Sequence, residues 1–262
     1  MKRRCFAFGC SYTYYNWATV SDFVGIHFDE FYNFGKAGAS NTYIMNSLIE
    51  YNEIFKFNPE TDYILIGITG IGRFSYFDTK TDTWMCTGDA WPLNSQHPPI
   101  IKQFVETMDN PKWALYRSWI AVKVIKEFLV SKKLTHTVYP ALNGAYFCRD
   151  TGILQQEDAM VQRYYEIYDM LDIKESIDES ITDSEHYQFA DTGAIDNHPT
   201  QTHHYNYFKK HFPQFDDAYT KKVYEYLEKN FDNNSSDAQQ DNFKTIFRTP
   251  HHMTKLRSFF NL

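Results

Sequence analysis

Six residues, Tyr63-Ile64-Leu65-Ile66-Gly67-Ile68, constrain the fold more than any other stretch. The run is apolar at odd and even positions alike, so as a strand it is covered on both faces. That is the pattern of a central strand in a parallel sheet. Asn58-Pro59 closes a helix before it, and Thr69-Gly70-Ile71-Gly72-Arg73 turns the chain after it. Cys5 to Phe8, Phe31 to Phe34 and Thr135 to Tyr139 read as further short strands. Between them lie stretches with helical spacing: Trp17 to Ile26, Thr42 to Phe57 and Trp113 to Ser131. Strands alternating with helices imply an α/β fold, a three-layer α/β/α sandwich around a central parallel sheet. Ligands of such sheets bind beyond the carboxyl ends of the strands.

Two segments interrupt the alternation. Residues 74–111 have no clean period and carry Trp84, Trp91, Pro92, His97, Pro98 and Pro99, which suggests a long loop insertion forming a substrate wall. Residues 141–186 form a second insertion, with a helix expected around Asp158 to Leu171. A helix is expected from the Asp196–Thr200 motif up to Phe212, and another over Ala218 to Phe231. Asp232 to Asn242 reads as a polar linker. The reading divides the chain into a main domain over 1–215 and a C-terminal helical extension and tail over 216–262. The tail's Phe243, Ile246, Phe247, Met253, Leu256, Phe259 and Phe260 would dock on their own domain or on a second copy in a homo-oligomer.

Composition excludes some classes. The net charge of −7 argues against a broad nucleic-acid-binding face. Cys5, Cys10, Cys86 and Cys148 form no Cys-x-x-Cys pair and read as free thiols in a reducing compartment. Met1-Lys2-Arg3-Arg4 precedes an apolar run too short for a signal peptide, and nothing is long and apolar enough to span a membrane. The expected location is the cytoplasm, or a virus particle released by lysis. With 20 Tyr, 22 Phe and 5 Trp, the chain is rich in aromatic rings, which fill cores and also make flat surfaces suited to sugars.

The chemistry concentrates in a few loops. Ser11 follows the first strand in Gly9-Cys10-Ser11, where a strand end fixes a nucleophile and the next helix would offer its positive N-terminus. His198, in Asp196-Asn197-His198-Pro199-Thr200, is its natural general base, although a His before Pro also suits a plain helix start. Arg73 could hold an anionic substrate group, or pair with an acidic side chain. His203-His204 beside His198 matches no established zinc-ligand spacing, so no metal is assigned, and His251-His252 reads as surface.

Taken together, the loops resemble the SGNH (GDSL-like) hydrolase family across residues 3–212. Gly9-Cys10-Ser11 is similar to its first block, with Cys10 where the family usually has Asp. Asn33 to Gly38 resembles the second block, Gly67-Ile68-Thr69 the third, and Asp196-Asn197-His198-Pro199 the last. Two positions depart from the pattern: Thr69 stands where the family has Asn, and Asp196 precedes His198 by two residues rather than three. The resemblance implies a flavodoxin-like fold of SGNH hydrolase type. It implies a serine esterase acting on a small acyl ester, such as an O-acetyl group on a carbohydrate, without a cofactor. Ser11 would be the nucleophile, His198 the base and Asp196 the acid that orients it, with Asp191 or a backbone carbonyl as the substitute. The backbone N–H groups of Ser11 and Gly38 would form the oxyanion hole, with Thr69 or Asn41 as a third donor and Arg73 within reach. Two rivals remain: an O-acyltransferase on a glycan, and a weakened domain of this type serving as a carbohydrate-binding or structural module.

Overall fold

A computed structural model describes residues 1–89, 99–107, 111–142, 159–177, 186–188 and 195–230. The elements begin with β1 (Arg4–Phe8), α1 (Val20–Gly25), β2 (Glu30–Asn33), α2 (Asn41–Phe55) and β3 (Asp62–Ile68). They continue with β4 (Arg73–Asp78), β5 (Thr83–Asp89), α3 (Pro99–Thr107), α4 (Pro111–Ser131) and β6 (Thr135–Pro140). Last come α5 (Ala159–Asp169), β7 (His186–Gln188), β8 (Ile195–Pro199), α6 (Gln201–His211), a 3-10 turn (Pro213–Phe215) and α7 (Ala218–Asn230).

Four strands form one parallel sheet in the order β2-β1-β3-β6. β3 is buried along its whole length, as its unbroken apolar sequence requires. The register pairs Phe6 with Ile64 and Cys5 with Tyr63, so neighbouring residues on β1 face opposite sides. On one side, Phe6 and Phe8 pack on Tyr51 and Phe55 of α2, and α4 packs on α2 in turn. On the other, Tyr63 meets Phe28 and Phe215, and Tyr139 meets Phe212 and Tyr207 of α6. Helices therefore flank both faces. Across the start of the sheet, Arg4 binds Asp62 through two bonds of 2.8 and 2.6 Å, and Asp62 also accepts from Asn58 N at 2.7 Å. That pair pins the β1–β3 register.

The structure departs from the sequence expectations in four places. The first helix begins at Val20 rather than Trp17, because Thr19 caps it and the Asp22 carboxylate accepts from Thr19 N at 2.8 Å. Part of the first insertion is regular: β4 and β5 make an antiparallel hairpin and α3 follows. Its two faces are both aromatic, Phe74 and Tyr76 packing near Phe104 and α3 while Phe77 meets Trp84, which is why no period of two shows. His198 lies in a strand, β8, paired with β7, rather than in a loop. The following helix is capped at Thr200, whose Oγ1 accepts from His203 N at 3.3 Å, so His198 is not a helix-start residue.

Cys5, Cys10 and Cys86 are free thiols. Among the described residues, no helix is long and apolar enough to cross a membrane. Cys148, Asp191, most of the second insertion, the 232–242 linker, the tail and His251-His252 lie outside the described residues.

Candidate active site

The sheet register assembles the site. Phe8 pairs with Ile66, so Ser11 and Thr69 each stand three residues beyond the same rung of neighbouring strands. Ala7 pairs with Asn33, and Lys36 N donates to Gly9 O at 3.0 Å, which brings the Gly35–Gly38 loop alongside. Three of the expected loops thus meet at the carboxyl edge of the sheet.

Ser11 sits in a tight turn in which Thr13 N and Tyr14 N both donate to Cys10 O, at 2.9 and 3.2 Å. Gly9 is required here because a Cβ would come within 1.9 Å of Thr13 Oγ1. The expected helix does not follow Ser11 directly; α1 starts nine residues later. A polar hub holds the turn instead. Thr13 O accepts from Asn33 Nδ2 at 2.8 Å and from Ser21 Oγ at 2.6 Å, while Asn33 Oδ1 accepts from Gly35 N at 3.0 Å. Asn33 thereby ties the serine turn to the glycine loop.

His198 Nε2 lies 2.8 Å from Ser11 Oγ. With the ring proton on Nδ1, the serine hydroxyl donates to Nε2, the contact a general base needs. The serine is only 4% exposed. How a residue of β8 reaches across to β1 follows from an irregular register. Tyr187 pairs with Asp196 and His186 with Pro199, leaving Asn197 and His198 as extra residues on β8. Such bulges bend a strand and re-aim a side chain. Asp196 is placed on β8, two residues before the imidazole.

The remaining expected donors are distributed as follows. Gly38 has φ +72°, a left-handed conformation, and its carbonyl accepts from Gly88 N at 3.1 Å, which fastens the β4–β5 hairpin to the loop. Lys36 Nζ also donates to Trp84 O, and Ser40 N donates to Ser75 Oγ at 3.1 Å. Thr69 is buried, and among the described residues its Oγ1 has no hydrogen-bond partner. Asn41 is buried too, but its amide is spent on the main chain: Nδ2 donates to Thr69 O at 2.9 Å and Oδ1 accepts from Thr69 N at 2.9 Å. The second Nδ2 hydrogen faces Ser118 Oγ at 3.4 Å, so Asn41 braces the Thr69 turn. Arg73 opens β4, half-buried, and its charge bears on the thiol of Cys86, itself pushed up mainly by burial. His203 turns away from the serine, with Nε2 at 3.2 Å from Ile177 O. Among the described residues, no group of three or more His, Cys, Asp or Glu converges as a metal site would.

Sequence reasoning missed the residues around the imidazole. Tyr15 stacks on His198 with ring centroids 3.9 Å apart and planes at 19°, and Tyr12 lies at 5.5 Å. Trp17 Nε1 donates to Pro199 O at 2.8 Å. Their signal was present as an aromatic cluster directly after the serine, but it reads equally well as core. No family model, no curated protein and no solved structure matches the chain.

Proposed function

We propose that the chain is a serine esterase of the SGNH (GDSL-like) hydrolase type, with a flavodoxin-like three-layer domain. The observation that carries the reading is the 2.8 Å contact between Ser11 Oγ and His198 Nε2, made by residues 187 positions apart. His198 removes the hydroxyl proton as Ser11 Oγ attacks the ester carbonyl carbon. The oxyanion forms facing the backbone N–H groups of Ser11 and Gly38, with the Thr69 hydroxyl as third donor. The C–O bond to the alcohol then breaks, the imidazolium returns its proton to the departing alcohol, and Ser11 is left acylated. Water, deprotonated by His198, attacks the acyl carbon, releasing the carboxylic acid and restoring the serine. Asp196 orients the imidazole and stabilises its charged form. The proposed substrate is a small acyl ester, with an O-acetylated carbohydrate first in line, because a serine 4% exposed admits a small acyl group more readily than a bulky one.

The test compares wild type, Ser11→Ala and His198→Ala in p-nitrophenyl acetate hydrolysis and in labelling by a fluorophosphonate probe. The expected result is a labelled, active wild type and a loss of at least about 10³-fold in both variants. A wild type that neither labels nor exceeds its variants overturns the reading.

A further inference from the structure

Resting on that reading, we propose that Tyr15 is a positioning residue that locks the His198 imidazole onto Ser11. The segment between the serine turn and α1 has no helix or strand, yet it touches the histidine strand through Trp17 and Tyr15 and the start of the next helix through Ala18. Trp17 Nε1 holds Pro199 O at 2.8 Å, and Ala18 N approaches Gln201 Oε1 at 3.4 Å. The Trp17 ring meets Tyr15 edge to face, with centroids 4.6 Å apart. Tyr15 in turn lies flat on the imidazole at 3.9 Å. Two ring contacts thus run from the buried indole to the base.

The need for such a device lies in β8. His198 is one of two extra residues in an irregular strand, so the ladder does not fix its direction. Two side-chain torsions would let Nε2 swing away from Ser11. A ring stacked at 19° resists rotation of the imidazole about Cβ–Cγ, which would tilt its plane and carry Nε2 off the line to Oγ. Aromatic pairs of this kind bias an equilibrium by about 2- to 10-fold, and misplacing a catalytic group by about 1 Å can cost about 10²-fold in rate. The same loop therefore carries the nucleophile and the residue that aligns its base.

The experiment uses the full chain as wild type, Tyr15→Phe and Tyr15→Leu. Expected for Tyr15→Leu is a kcat on p-nitrophenyl acetate lowered about 10-fold or more, with KM within about twofold. Fluorophosphonate labelling should slow in parallel, and Tyr15→Phe should restore both, because the ring is what acts. The His198 ring protons should be shifted upfield by the ring current in wild type and Tyr15→Phe, and not in Tyr15→Leu. A labelled wild type with an unaffected Tyr15→Leu overturns the role of Tyr15 alone. A wild type that does not label overturns the esterase reading itself. Should Tyr15→Leu not fold, the wild-type shifts decide: imidazole protons at ordinary positions would overturn the stacking on which the role depends.

Discussion

Replacing Asn41 by Leu separates two roles that one asparagine beside this site could have. Asn41 is 1% exposed and Thr69 is 2% exposed, so the groups they share are sealed from water. The amide satisfies both Thr69 N and Thr69 O, each at 2.9 Å. Leucine is close to asparagine in size, which leaves little room for a water to take over. Each main-chain group left unpaired in the interior costs about 1–3 kcal/mol, so the pair amounts to about 2–6 kcal/mol. Urea unfolding followed by circular dichroism measures this directly. Activity should fall as well, since Thr69 stands level with Ser11 on the neighbouring strand. An oxyanion donor would behave differently: its removal lowers kcat by about 10²–10³-fold and leaves stability nearly intact. A variant within about 1 kcal/mol of wild type in stability, with kcat down a hundredfold, would refute the bracing role and return Asn41 to the oxyanion hole.

Two further outcomes follow from the same geometry. Gly38→Ala should lower stability more than Gly88→Ala, although both residues have φ +72°. Each loses about 1–2 kcal/mol to the left-handed backbone, but only at Gly38 would the new Cβ meet main-chain atoms, Gly88 N at 2.8 Å and Cys86 O at 3.0 Å. Equal melting temperatures for the two variants would contradict this. Glu175→Gln should change the acid response. The Glu175 carboxyl is held below its ordinary range, first by Lys210 and then by His211. Its contribution is therefore present above the unfolded carboxyl pKa and lost as pH falls through the folded one. Burial lowers His211 while Glu175 opposes that shift, so the histidine's loss of stability begins as pH drops below its unfolded value, about 6.5. Without the carboxylate, nothing opposes the lowering of His211, so the melting temperature should fall more below about pH 6.5 than in wild type, and less below about pH 4.3. Parallel profiles for wild type and variant would count against it.

How much of this was legible depended on whether a residue's partner is implied by its own pattern. β1 and β3 could be read because strands covered on both faces need apolar residues throughout, and the edge strands β2 and β6 as short aromatic or β-branched runs between helices that show a buried stripe. The β4–β5 hairpin could not: Phe74 and Tyr76 on one face and Phe77 and Trp84 on the other erase the alternation. β7 and β8 are short and polar, and the irregular register at Asn197 and His198 removes the period altogether. The Ser11–His198 meeting was legible because serine and histidine combine in few chemical ways, and because Ser11 closely follows Gly9 while His198 directly precedes Pro199. Asn41 was not, since an amide offers a donor and an acceptor whether it faces a ligand or its own backbone. Tyr15 and Trp17 were hidden for a related reason, because an aromatic ring carries no mark of what it stacks on. What the fold adds is direction. Within one loop, Ser11 points at the imidazole, Tyr15 lies across it and Trp17 holds the strand that carries it. A loop that combines these three contacts has a reason to be aromatic beyond filling space.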